Sequence, residues 1–172
     1  MLALLKLLQS LVSTLHSQGT KGQVAAGIAL GSALGLTPLL NAHNLIVLLL
    51  LMVFNVSFGA GMLGWAIFTP VGFMLDPVFD RIGRTLLLDT PALRPTWASW
   101  FNTPGLPYTN FNNTVVLGSV VGWVVLWLPI FALSYFLVGL YRAKVAKRIE
   151  ESRFFKVVGA SKLYNVYRMF HP

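Results

Sequence analysis

Residues 45 to 75 form an apolar block without a single charge, and a second such block runs from 115 to 141. A straight helix over the first would measure roughly 46 Å, against about 30 Å for the hydrocarbon core of a bilayer. Runs of this length exceed what the core helix of a small soluble domain needs, so they predict lipid-facing spans. Composition agrees: 10% of the 172 residues are charged and 56% hydrophobic, with mean hydropathy +0.71, whereas soluble domains carry about 25% charge. The expected fold is an all-α integral membrane protein, one membrane domain over residues 1–172. Short or broken transmembrane helices are expected in its first half, one long transmembrane helix in its second, and amphipathic N-terminal and basic C-terminal helices at its ends.

Residues 1–17 place Leu4, Leu5, Leu8, Leu11, Val12 and Leu15 at helical spacing, with Lys6, Gln9, Ser10 and Ser13 around the other side. That pattern predicts an amphipathic helix lying in the membrane interface. No small-residue cleavage site closes this stretch, so no signal peptide is expected. Residues 24–40 follow as an uncharged run in which Gly27, Gly31 and Gly35 recur four apart on one helix face. Hydrophobic drive between helices vanishes in lipid, and a stripe without Cβ atoms replaces it by close backbone approach. Gly118 and Gly122 repeat the spacing in the block 115–141.

The block 45–75 must break, tilt or fold back, and Asn55-Val56-Ser57-Phe58-Gly59-Ala60-Gly61 is the predicted break. Within residues 24–75 the expectation is therefore broken helices or hairpins: three short crossings, or a re-entrant hairpin plus one crossing, with three crossings preferred. Asp76, with Pro77 behind it and Asp80 paired to Arg84 at i,i+4, predicts a new helix from Asp76 to about Leu88. Residues 76–114 form an external loop in which Trp97, Trp100, Phe101, Tyr108 and Phe111 predict a segment held at the headgroup level or docked on a partner. The last span, 115–141, carries Pro129, a site for a kink.

The net charge of +8 is unevenly placed. Residues 1–23 hold Lys6 and Lys21, residues 76–114 balance Asp76, Asp80 and Asp89 against Arg81, Arg84 and Arg94, and the tail 142–172 sets eight Lys or Arg against Glu150 and Glu151. Nucleic-acid binding is not expected from a charge confined to a tail after a span. The positive-inside rule predicts a cytoplasmic tail, both termini cytoplasmic and residues 76–114 outside. Lys144, Lys147, Arg148, Arg153 and Lys156 are the candidates for contact with anionic lipid, beside their role as a topology signal.

Catalytic chemistry finds no support. There is no cysteine, and His16, His43 and His171 stand without a second histidine or carboxylate at ligand spacing, so no metal and no cofactor is expected. Capping accounts for Asp76 and Asp80, and the glycines lack the spacing of a phosphate-binding loop. Asn112-Asn113-Thr114 matches the glycosylation triplet, a pattern frequent by chance. The runs 24–40, 45–75 and 115–141 contain no ionisable Lys, Arg, Asp or Glu, unlike most ion-coupled transporters.

The stretch 24–88 resembles a bacterial membrane family known as domain of unknown function twenty-sixty-two. The resemblance rests on Gly31-x-x-x-Gly35-x-x-Pro38, the long apolar block, Asn55, the run Trp65-Ala66-Ile67-Phe68-Thr69-Pro70, and Gly83; Thr69 replaces the family's usual asparagine. It implies a bacterial inner-membrane location and no established activity, and it looks like a variant that accompanies a larger envelope protein. The expected function is a non-enzymatic inner-membrane subunit that anchors or gates a larger envelope complex conducting lipid between membranes. A small self-contained transporter or channel is the alternative, and a membrane-shaping protein acting alone the third.

Overall fold

The computed structural model describes residues 19–145. The expected interfacial helix 1–17 and the tail beyond residue 145 lie outside the described residues. The described chain is helical throughout its regular elements: α1 (Lys21–Leu36), α2 (Ala42–Val53), α3 (Phe58–Arg84), α4 (Arg94–Phe101) and α5 (Thr114–Leu140). A wide π turn, Thr85–Asp89, continues α3, and another, Tyr141–Val145, continues α5.

Local sequence explains most boundaries. A capping box opens α1: the Thr20 hydroxyl accepts from the Gln23 amide at 3.2 Å, and the Gln23 side chain accepts from the Thr20 amide at 2.7 Å. Pro38 forces Thr37 into extended backbone and stops α1 at Leu36. Ser57 and Asn113 cap α3 and α5 by accepting from Ala60 and Val116. The predicted break is found between Val53 and Phe58, but it is shorter than expected, since Phe58 to Gly61 already form the first turn of α3.

Asp76 does not begin a helix. It sits inside α3, which runs uninterrupted through Pro70 and Pro77. A proline opening a helix and a proline inside one look alike in sequence, and packing on both sides decides here: Gly72 rests on Gly35 and Leu36, and Phe79 and Gly83 rest on α5. The Thr69 hydroxyl also donates to the Trp65 carbonyl at 2.8 Å, compensating part of the disturbed helix ladder. The first half therefore contains a long helix as well as short ones. With their π turns, Phe58–Asp89 (32 residues) and Thr114–Ala143 (30 residues) are both long and apolar enough to cross a membrane, at about 48 and 45 Å. The region 76–114 is accordingly part helix: its connection proper begins at Thr90 and carries α4 and two short 3-10 turns.

Order along the helices follows from their contacts. Gly27, Gly31 and Gly35 meet Ser57–Ala60, Gly61 and Trp65–Thr69 in turn, so α1 and α3 run parallel. Phe79 meets Gly118 and Gly83 meets Thr114, so α5 runs antiparallel to α3. α2 is the return stroke: Asn44 bonds Thr37 at the top of α1, and Leu51 packs on Gly61 near the start of α3. α1 and α2 thus form a hairpin of about 24 and 18 Å, and its tip reaches the level of Gly72 and, through Asn41, the side chain of Asn110 at 2.6 Å.

Both ends of the described chain lie at one end of the bundle. There the Gln23 side chain donates to Asn55 at 2.8 Å, the Ser57 amide donates to the Gln23 carbonyl at 3.1 Å, and Gly139 lies beside Lys21. The hairpin tip and the 90–113 connection occupy the opposite, loop end. Between the two, Val24, Ile28, Ala60 and Val138 form one buried cluster, and Ala33, Leu34, Val47 and Leu51 another. Outward faces stay apolar: Leu45, Ile46, Leu49, Met52 and Val53 on α2, and Val124, Val125, Leu128, Phe136 and Leu137 on α5, are all exposed.

Candidate functional site

Two constructions stand out, a glycine seam through the bundle and an aromatic cap at its loop end. In the seam, all three glycines of the α1 stripe are buried against α3. A Cβ at Gly31 would fall inside the Gly61 carbonyl, and one at Gly27 would strike the Ser57 carbonyl. At Gly35 it would lie 2.7 Å from the Thr69 nitrogen and 2.8 Å from the Trp65 oxygen. The other wall is also glycine: Gly64 rests on the Ile28 carbonyl and Gly72 on that of Gly35. Gly118 approaches the Phe79 carbonyl of α3, whereas Gly122 faces the Phe79 ring, where an added Cβ would lie 2.6 Å from Cε1.

The α3 side of this seam was hidden in sequence, where Gly61 read as part of a break. The signal was present: Gly61, Gly72 and Gly83 recur every eleven residues, three turns of helix, and so share one face. Buried serines and a tryptophan add polar stitches. The Ala29 carbonyl accepts from Ser32 at 2.7 Å and from the Trp123 indole at 3.2 Å, tying α1 to α5.

The hairpin tip holds a polar knot. Asn44 is 4% exposed. It accepts from the Thr37 hydroxyl at 2.8 Å and donates to the carbonyls of Pro38 and Leu39 at 2.8 and 3.3 Å. A buried side-chain amide needs such partners, since leaving one unmade costs about 1–3 kcal/mol.

At the cap, three of the five predicted aromatics come together. Trp97 meets Trp100 edge-on, ring centres 5.3 Å apart, and Phe111 lies 6.1 and 5.8 Å from the two indoles. The Trp97 N–H donates to the Leu86 carbonyl at 2.8 Å, clamping the cap to the wide turn that ends α3. Phe111 is buried, while Phe101 is 56% and Tyr108 83% exposed, with Tyr108 outside the cluster. Below the cap opens a mainly apolar groove of about 510 Å³. A second groove of about 540 Å³ between the tip and the start of α5 is lined by Pro38, Asn41, Asn110, Asn112 and Asn113.

Asp80 links these elements, pairing with Arg84 at 3.2 Å and accepting from the Thr114 hydroxyl. Among the described residues no three His, Asp or Glu side chains gather as metal ligands. Of the basic candidates, Lys147, Arg148, Arg153 and Lys156 lie outside the described residues, as does the side chain of Lys144.

Comparison with known proteins places this architecture. A protein of Treponema pallidum (strain Nichols), described as an uncharacterized protein, is 28% identical over 157 residues, which cover 90% of this chain and 95% of that one. No solved structure matches the chain. Residues 6–150 match the bacterial family described as "Uncharacterized protein conserved in bacteria" (DUF2062), well beyond the 24–88 stretch that carried the resemblance. Seam, hairpin and cap all fall inside that match, and the chain belongs to the DUF2062 family.

Proposed function

We propose that this chain is a non-enzymatic, multi-pass inner-membrane subunit that anchors or gates a larger envelope partner, with lipid transport between membranes as the activity of the complex. Membrane placement draws on the two long apolar helices and on the apolar outer faces of α2 and α5, since exposed apolar faces mark membrane or protein contact surfaces. Both termini are cytoplasmic in this proposal. Lys21, Arg142 and Lys144 mark one end of the bundle, while charges balance at the loop end.

The observation that carries the subunit role is the cap. An aromatic plate pinned by ring contacts and by the Trp97 hydrogen bond nevertheless leaves Trp100 exposed at the loop end, with Phe101 and Tyr108 exposed on the same connection. Exposed, ordered aromatics are what interface hot spots are built from. The seam weighs against a self-contained channel, because α1 and α3 close to backbone contact and leave no path between them.

Purification of the full chain from native membranes in mild detergent tests this. A stoichiometric larger partner is expected, lost when Trp97, Trp100 and Phe101 are together replaced by serine although the variant stays in carbonate-washed membranes. A lone monomer or homo-oligomer would overturn the subunit role, and full partner yield with the triple variant would move the contact off the cap.

A further inference from the structure

We propose that the groove under the aromatic cap holds one acyl chain of a phospholipid from the loop-end leaflet, with the lipid phosphate on Arg94. The inference rests on the membrane placement above and is independent of any protein partner. Leu87, Leu88, Trp97, Ala98, Phe101 and Phe111 line the groove, whose volume of about 510 Å³ falls in the range of ligand pockets, about 300–1,000 Å³.

Its walls are built before any ligand arrives. The Trp97 ring is fixed by its bond to the Leu86 carbonyl and by edge contact with Trp100, so its face toward the groove cannot collapse. Leu87 and Leu88 sit on the π turn Thr85–Asp89, a departure from α geometry that recurs at functional sites.

Position and charge select the occupant. The groove lies where α3 ends and α5 begins, some 45–48 Å of helix from their other ends, which matches the thickness of a bilayer with its headgroups. At that level the slot faces the glycerol ends of the acyl chains, with the headgroups around it. Arg94 supplies the complement to a headgroup: its guanidinium reaches the carbonyl of the groove residue Leu88 at 3.4 Å and makes no ion pair among the described residues. Asn112 and Asn102 add polar atoms at the same rim.

The test uses the full-length chain in nanodiscs of phosphatidylethanolamine and phosphatidylglycerol, containing a phosphatidylethanolamine with a diazirine in its acyl chain. Cross-links are expected on the peptides carrying Leu87–Leu88 and Phe101–Phe111, and native mass spectrometry of the detergent-purified chain should find one retained phospholipid. Ala98→Trp fills the groove and should abolish both signals. Arg94→Gln, which leaves the walls intact, should weaken retention roughly fivefold, the worth of one basic residue near a lipid surface. Leu133→Trp on the outer face of α5 should change neither. Cross-links confined to the α5 outer face, or retention unchanged in both groove variants, would overturn the proposal. Carbonate extraction of the same membranes separates failures: a chain released by carbonate refutes the membrane placement, and a retained but unlabelled chain refutes the groove alone.

Discussion

The glycine seam and the aromatic cap solve the same problem with opposite means. In the seam, helices are joined by removing side chains until carbonyls touch the opposing backbone. At the cap, a chain segment is joined by adding the largest side chains available and orienting them with hydrogen bonds. On the proposed membrane placement the difference follows from two solvents. Between lipid-facing helices apolar burial gains little, so close packing with a few polar stitches would hold them. At the headgroup level, where water and lipid meet, amphipathic rings would gain on both sides.

The sharpest break in that comparison is Gly31→Leu. Its side chain would have to displace the Gly61 carbonyl, a backbone atom with no rotamer to yield. We expect a loss of at least about 3 kcal/mol, read as failure to accumulate or as unfolding at far lower denaturant in detergent. Unchanged stability would mean that α1 and α3 separate freely. Gly122→Ala sharpens the point, because it meets only the Phe79 ring. It should cost about 1–3 kcal/mol, less than Gly118→Ala, which strikes the Phe79 carbonyl.

This ordering also shows what was legible in sequence. The stripe of Gly27, Gly31 and Gly35 stood out because four-residue spacing is a familiar face. Its partner stripe did not, because eleven-residue spacing across Pro70 and Pro77 looks like punctuation. Similarly Asp76-Pro77 carries every mark of a helix start, and only contacts from Gly35, Leu36 and α5 keep α3 going through it. The aromatic density of residues 97–111 pointed to the cap, yet nothing local said that Phe111 would fold back onto Trp97 while Tyr108 stayed out. That choice depends on the sharp turn at Gly105, φ 92°, and Asn110, φ 55°.

Between seam and cap lies Asn44, whose amide replaces side-chain-free packing with explicit bonds. Asn44→Leu should cost about 1–3 kcal/mol by removing three hydrogen bonds at once, although Thr37 keeps its bond to the Ala33 carbonyl and the Pro38 and Leu39 carbonyls keep theirs from Asn41. Loosened protection of the Thr37–Asn44 amides in hydrogen exchange would localise the damage to the hairpin tip.

At the cap the expected effects shrink. Trp97→Phe keeps the ring and loses the bond to Leu86, a change of about 0.5–1.5 kcal/mol, visible as a modest drop in melting temperature with the seam intact. Smallest of all is Arg84→Ala, which removes an exposed i,i+4 pair with Asp80 and should leave the melting temperature almost unchanged. A larger loss there would show that Asp80, through Thr114, holds α3 to α5 more firmly than the exposed pair accounts for.

The parallel course of α1 and α3 sets the order in which the molecule can be assembled. Gly27 waits for Ser57 and Ala60, and Lys21 waits for Gly139, so no neighbouring pair of helices completes the bundle during synthesis. A nascent chain that has not yet reached Thr114 presents Ala29 without the Trp123 indole and Phe79 without its glycine bed. The α1–α2 hairpin and the α1–α3 seam can close before then, and α5 acts as the latch that completes the bundle.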